Sequence, residues 1–506
     1  MAISSVGRVL RMKAHRRWFY VSVLVFVVSG GALEESSMAG EAGWKAGFAK
    51  ANITPEEPLW LAGYASRTNP AVGKVMDLWI KVLALEDSSG HRAVILTSDT
   101  LGIPQSIYQH TTAALKEKFG LEPADILLTA SHTHCGPVLR GALYDAYPLD
   151  DHQRELIESY SSALEPKIVE TVGKALTELT PVRVASGQGI TRFAVNRRNN
   201  KEGQVPALIQ EGALKGPVDY SVPVLAVFAR DGALKGVLFG YACHNTVMSF
   251  NKWSGDYAGF AQLALEKHHP GAAAMFFMGC GGDQNPMPRG QLELAERYGN
   301  MLASAVEEVL VAPGAPAGVS TNSAEDVARA ETVSGVSALR TLAPGLRTSF
   351  ESLTLDLGPA PTEAELQAMQ SETNTPSAKR YASRLRNQLK QGKPFMRTYP
   401  YPMQAWRLGD AQLLVTLGGE PVVDYSLKFK AEFSAKTWVA GYCNDVMTYI
   451  PSLRVLKEGG YEGGKAMIPY GLPAARWGDD VEDLITAAAR RLVAQVALSN
   501  ERGATK

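Results

Sequence analysis

The 506-residue sequence predicts an α/β fold in a single large domain: a mixed-sheet core flanked by helices, with a metal site at the C-terminal ends of strands. Three observations carry that expectation. Apolar runs of strand length alternate with helix-period segments along most of the chain. The composition, 45% hydrophobic and 20% charged, is that of an ordinary globular protein with chain enough for a large core, although length alone allows two to four domains. Five apolar strands stop at a Gly-rich or polar turn carrying His, Asp, Glu or Asn, where α/β sheets hold their ligands.

Lys+Arg and Asp+Glu each total 51, so the net charge is zero. That balance excludes the basic footprint of a nucleic-acid binder and gives no electrostatic reason to seek anionic lipid. At the N-terminus, Arg11, Lys13, Arg16 and Arg17 precede an apolar run from Phe19 to Val28 and the small residues Ser29-Gly30-Gly31-Ala32. This order describes a secretory signal peptide over residues 1–38, too short an apolar run to span a bilayer comfortably. The expectation is an exported protein, periplasmic or extracellular, folded over 39–506. Cys135, Cys243, Cys280 and Cys443 each adjoin a motif discussed below; export allows disulfides, but their pairing is not legible.

Trp44–Ala51 alternates as a strand, followed by Asn52-Ile53-Thr54-Pro55 and the loop Leu61-Ala62-Gly63-Tyr64-Ala65. Leu78–Glu86 and Arg92–Thr97 are strands about a Ser88-Ser89-Gly90 turn, with Asp99 at the end of the second. A helix from Ser106 to Phe119 closes at Gly120, and a buried strand, Ile126–Leu128, breaks into Ser131-His132-Thr133-His134-Cys135-Gly136-Pro137. Arg154–Leu179 is helical and Val182–Gly187 a strand; Asn199–Gly216 reads as loop. Val222–Ala229 and Gly236–Ala242 flank the hairpin signal Asp231-Gly232, and the second ends at Cys243-His244-Asn245-Thr246. The helix Tyr257–His268 and the strand Ala272–Met278 lead to Gly279-Cys280-Gly281-Gly282-Asp283-Gln284-Asn285-Pro286, then a helix over Gln291–Leu310.

Ala312–Thr332 is rich in Ala, Gly, Pro, Ser and Thr and reads as a crossing loop. Beyond it are a strand at Thr348–Leu357, surface helices at Glu363–Gln370 and Ser377–Leu389, and strands Gln404–Leu408 and Gln412–Leu417. The last stops at Gly418-Gly419-Glu420-Pro421, before a helix from Val422. Trp438–Tyr442 is a strand ending at Cys443-Asn444-Asp445, and Val481–Leu498 is the final helix.

A hydrolytic zinc site needs about three protein ligands and an open position. His132, His244 and Glu420 stand at three of the strand ends. His132 and His134, one residue apart, lie on the same side of an extended backbone. With His244 and Glu420 available, one cation rarely needs both, so His132 is expected to bind metal and His134 to stand behind it as proton donor. No Gly-x-Ser-x-Gly elbow supports a serine hydrolase.

The sequence resembles the catalytic domain of the neutral/alkaline non-lysosomal ceramidase family. The resemblance runs in order through Ala46-Gly47, Ile53-Thr54-Pro55, Gly63-Tyr64-Ala65, Ser131 to Pro137, Asn196-Arg197, His244, Ser254-Gly255-Asp256, Gly282-Asp283, Gly419-Glu420 and Tyr461-Glu462-Gly463-Gly464. It implies a Zn2+-dependent amidohydrolase, with His132, His244, Glu420 and Tyr449 as metal ligands and His134, Arg197 and Tyr461 lining the catalytic centre. It also sets Asp99 where the family has a structural divalent-cation ligand. The flanks of Tyr449, Met447-Thr448 and Ile450-Pro451, depart from the family pattern, and Gln284-Asn285 replaces the family's serine segment. A metal-activated water does not need that serine. The family's C-terminal immunoglobulin-like domain is expected to be absent.

The leading expectation is an exported amidase cleaving an N-acyl amide by metal-activated water, with a small-molecule or lipid amide as substrate and peripheral membrane contact admitted by a lipid one. The alternatives are the same metal chemistry on a non-lipid amide or ester, and a catalytically silent binding protein of the same fold.

Overall fold

Strands β1 (Trp44–Asn52), β2 (Trp79–Glu86) and β3 (Arg92–Ser98) form an antiparallel meander, with Ala46 opposite Leu85 and Val82 opposite Leu96. The computed structural model describes residues 43–312, 337–372 and 374–497; the expected leader and nearly all of the crossing loop lie outside them. Helix α1 (Gln105–Phe119) ends at Gly120, whose φ of 69° closes the last turn in the left-handed region that glycine adopts without strain. The chain returns as β4 (Ile126–Ala130), parallel to β3. Helix α2 (Asp151–Thr177) is capped by the Asp150 carboxylate, which accepts from the Gln153 N–H. It leads to β5 (Thr180–Ile190) and the short β6 (Ala194–Asn196).

The stretch expected to be all loop carries helix α3 (Val205–Gln210), with Pro206 in its first turn where a missing N–H costs nothing. The hairpin β7 (Ser221–Ala229) and β8 (Leu234–Tyr241) precedes α4 (Asp256–His268) and β9 (Ala273–Met278), parallel to β8. Then come β10 (Gln284–Pro286), paired with β6, and α5 (Leu292–Val311). The large sheet has the order β4-β3-β2-β1-β5-β7-β8-β9, and β11 (Ser337–Thr341) adds to β5.

A second sheet follows: β12 (Leu346–Asp356), the helices α6 (Glu363–Glu372) and α7 (Pro376–Lys390), β13 (Thr398–Leu408) and β14 (Gln412–Leu417). Next are β15 (Glu420–Pro421), α8 (Val423–Glu432), β16 (Trp438–Ala440) and β17 (Tyr449–Ile450). Helix α9 (Leu453–Glu458), a π-turn at Tyr461–Lys465, α10 (Met467–Tyr470) and α11 (Val481–Ala497) complete the described chain. β13 begins six residues before the expected Gln404. Pro400 and Pro402 disguise it, but both sit where β13 pairs with β12 alone, before β14 joins at Met403, so the missing N–H groups break no central ladder.

The continuous apolar runs of the large sheet are read by alternation. Val82 and Ala84 face a core shared with Leu115 of α1, Ile157 of α2, Leu265 of α4 and Leu302 of α5. Leu83 and Leu85 face Trp406, Leu414 and Trp438 of the second sheet. That sheet's other face packs Leu355, Tyr401 and Met403 on Ile485 and Leu492 of α11. The layers are therefore helices, sheet, sheet, helix: the mixed core flanked by helices that the sequence predicts, with two stacked sheets in it. Each large side chain buried there contributes roughly 1.5–3 kcal/mol.

This stacking positions the site. β4 and β9 lie at opposite ends of the large sheet's order, yet Thr129 bridges Cys443 and Gly279 bridges Ala440. Ala440 and Cys443 are three residues apart, so one short segment of the second sheet ties both edges together. The C-terminal ends of β4, β8 and β14 then open on one point.

Candidate metal centre

His132 and His134 follow β4, His244 follows β8, and Glu420 follows β14. Glu420 Oε2 lies 3.2 Å from Nε2 of both His132 and His244. His134 Nε2 is 3.3 Å from His132 Nε2, and the Tyr449 hydroxyl is 3.0 Å from His244 Nε2. Ligand nitrogens of the three histidines lie within 4.8 Å of one another. The pair is not presented by an extended backbone, as the sequence suggested. His132 has φ 55°, a left-handed turn that swings both rings inward with centroids 5.0 Å apart. Gly63 lies against His134: a Cβ there, at φ 103°, would stand 2.3 Å from its Nδ1.

The donor set fits a cation. The Nδ1–H of His132 donates to the Leu101 carbonyl at 2.7 Å, and that of His244 to the Gly281 carbonyl at 2.6 Å. With those protons spent outward, both Nε2 lone pairs face a carboxylate oxygen, acceptor against acceptor. Such an arrangement is stabilised by a metal ion, and the outer bond to a backbone carbonyl is the usual brace of a ligating histidine. Burial, then the charge of Arg197, pushes His244 down to about 4. Burial, reinforced by His132 and His244, also holds His134 well below the usual range. His134 differs in one respect: its buried Nδ1 has no hydrogen-bond partner among the described residues.

Arg197 stands beside this set. Its guanidinium donates to Tyr449 Oη at 3.1 Å, Glu462 Oε1 at 2.7 Å and Asn285 Oδ1 at 3.2 Å. The Tyr461 ring lies 5.2 Å from that of Tyr449, and its side chain is 44% exposed, within reach of a ligand.

Residues 44–292 match the family described as neutral/alkaline non-lysosomal ceramidase, N-terminal. Over that stretch the chain resembles the neutral/alkaline non-lysosomal ceramidase family. Neutral ceramidase B of Dictyostelium discoideum is 27% identical over 251 residues, covering 46% of this chain and 33% of the relative. Neutral ceramidase A of the same organism is 26% identical over 226 residues, 40% of this chain and 30% of the relative. The chain thus spans about a third of the length of the curated relatives it matches. Among solved structures, a ceramidase complexed with C2 superposes with a TM-score of 0.62 at 18% identity, over 90% of this chain and 75% of that one. The neutral ceramidase from Pseudomonas aeruginosa gives 0.62 at 19%, over 89% and 75%. These share the fold.

The structure adds residues that sequence reasoning passed over. Tyr470 donates to Glu420 Oε1 and Tyr442, at 3.4 Å, to Oε2, fixing the carboxylate from both sides. The segment in the place of the family's serine is a brace. Asp283 accepts from Asn196 Nδ2 and Val423 N, both at 2.9 Å, and its carbonyl takes the Arg197 N–H, while the Gln284 carbonyl takes that of His244. A polar residue buried between two motifs is the signal that finds it. Asp99 is buried, accepting from Trp79 N at 2.9 Å and the Ser131 hydroxyl at 3.3 Å, so it ties β2 to the turn before His132. All four cysteines are buried and free, and the disulfides that export allows are not formed.

The centre opens into a cavity of about 550 Å³ lined by His134, Glu420, Tyr449, Tyr461 and Tyr470 together with Leu143, Ala146, Met369, Ala378 and Ile468. α6 and α7, read from sequence as surface helices, thus form part of its wall. Arg380 holds α7 there through the Asp145 and Ala146 carbonyls.

Proposed function

We propose that this chain is an exported zinc-dependent amidase, ceramidase-like and folded over 39–506, that hydrolyses an N-acyl amide bond by metal-activated water. The observation that carries the reading is the convergence of His132, His244 and Glu420, lone pair against carboxylate at 3.2 Å, with both outer nitrogens pinned to backbone carbonyls. Zn2+ would be held by these three and Tyr449. When bound, it supplies Lewis acidity, polarising the carbonyl and making water a nucleophile near neutral pH.

The remaining work falls to side chains. Arg197, already fixed by Glu462 and Asn285, and the Tyr461 hydroxyl donate to the amide oxygen as it gains negative charge. His134, neutral because it is buried, takes a proton from the attacking water and passes it to the leaving amine. Leu143, Ala146, Met369 and Ile468 exclude water and receive the apolar part of the substrate. Export rests on the leader read in residues 1–38. The test is hydrolysis of ceramide and simpler N-acyl amides by purified protein of measured metal content. Activity is expected to vanish on chelation and return with zinc; full activity in metal-stripped protein overturns the reading.

A further inference from the structure

The cavity over the metal centre is mostly apolar, but one of its lining residues is Lys465. Lys465 is exposed and its ammonium has no carboxylate partner among the described residues. The neighbouring acids are committed elsewhere. Glu462 is bound to Arg197 and Arg198, Asp145 to Arg384, and Glu458 to Arg198 and Arg454. Glu420 is engaged by His132, His244 and Tyr470. Among the described residues that line this cavity Lys465 is the one Lys or Arg, and its backbone is fixed to the site's own frame. It closes the π-turn that begins at Tyr461, and its N–H donates to the Gly460 carbonyl at 3.1 Å.

We infer that the cavity is built for an acyl amide whose amine half carries an anionic group, and that Lys465 is the residue that selects it. The inference rests on the amidase reading for which bond is cleaved and narrows the substrate among N-acyl amides, since ceramide itself carries no anion. The amine half is favoured because His134, the proton donor to the leaving amine in that reading, lines the same cavity as Lys465. Carboxylate, sulfonate and phosphate share the chemistry an ammonium recognises, and Lys offers a point charge rather than a planar fork.

The experiment compares three dodecanoyl amides on the zinc-loaded protein: N-lauroylglycine, N-lauroyltaurine and the neutral N-lauroylethanolamine. Affinity is read as KM where a probe turns over and by calorimetric titration where it does not. The anionic probes are expected to bind about 10-fold or more tightly than the neutral one, the worth of one charge-assisted hydrogen bond. Lys465→Gln should abolish that preference, and Lys465→Glu reverse it, with the neutral probe bound as before. A preference for glycine over taurine assigns a carboxylate; equal binding assigns any small anion. Equal affinity for all three probes in the native protein, or equal weakening of all three in Lys465→Gln, overturns the inference. Discrimination without turnover keeps the anion subsite and overturns the amidase reading; turnover without discrimination does the reverse.

Discussion

Glu420 and Tyr449 face each other directly in a two-residue parallel bridge, with Pro421 opposite Ile450. The Glu420 N–H donates to the Thr448 carbonyl at 2.9 Å, so the backbone itself sets the carboxylate beside the phenol. Gly419 makes this possible: its φ is 63°, and a Cβ would stand 2.6 Å from Thr448 O. Gly419→Ala should cost roughly 1–3 kcal/mol of stability and loosen metal binding together. Denaturant titration and metal analysis check it; an alanine variant as stable and as metal-rich as the native protein refutes it.

Removing the metal should also be felt in stability. Two imidazole lone pairs and a carboxylate are left facing one another in a buried site. A ligand that binds the folded chain alone, at a hundred times its Kd, contributes about 2.7 kcal/mol. Chelation should therefore lower Tm by roughly 3 °C. A melting curve indifferent to chelator and to added zinc speaks against a metal at this position.

Glu462 contacts none of the reacting atoms in the proposed chemistry, yet it holds the Nε–H of Arg197 at 2.7 Å and an N–H of Arg198 at 2.6 Å. Burial would raise its carboxyl, but Arg197 and Arg198 together hold it below its ordinary range. Glu462→Gln removes the charge and keeps one acceptor. The expected result is a kcat lowered about 10-fold, near 1.4 kcal/mol, with metal content unchanged. Loss of metal in that variant would mean that Glu462 supports the ligands instead.

Asp445 supplies a pH prediction away from the metal. It is buried, with the Tyr399 hydroxyl donating to Oδ2 at 2.8 Å, and burial pushes its carboxyl up to about 7. Its unfolded value is near 3.9, so between those values the folded chain holds a proton that the unfolded chain has lost. Its contribution is whole below about pH 4 and is lost as pH rises toward 7, by an amount on the order of a few kcal/mol. Asp445→Asn removes the titration, so its stability should improve on that of the native protein between about pH 5 and 8. Parallel pH–Tm curves for the two proteins would contradict it.

Much of the layout is legible in sequence because burial on both faces writes strands as apolar runs, and the turns that end them interrupt those runs visibly. Ile126–Ala130 into His132 is the clearest case. The second sheet is harder to read, because Leu83 and Val82 look alike while facing different layers. Tyr449 is set by pairing with Glu420 rather than by its flanks, which is why Met447-Thr448 says little about it. Tyr442, Tyr470 and Asn285 reach the site only through tertiary packing. No local period marks them.

His132 and His134 provide the sharpest test, since both present Nε2 to the same centre, 3.3 Å apart. Their outer nitrogens separate them. His132 Nδ1 is pinned to the Leu101 carbonyl, whereas His134 Nδ1 has no partner among the described residues and its ring rests on Gly63 and Tyr64. A ring whose tautomer is fixed serves a metal; one whose proton is not fixed serves proton transfer. His132→Ala should strip the metal and activity together. His134→Ala should remain folded and zinc-loaded while kcat falls by about 10²–10⁴. If His134 instead completes the ligand set, its loss lowers zinc content in step with activity; if it only braces the loop, its loss lowers Tm and leaves kcat intact. Metal content, Tm and kcat measured on the two variants side by side separate the three outcomes, and a zinc-loaded, fully active His134→Ala protein ends the assignment.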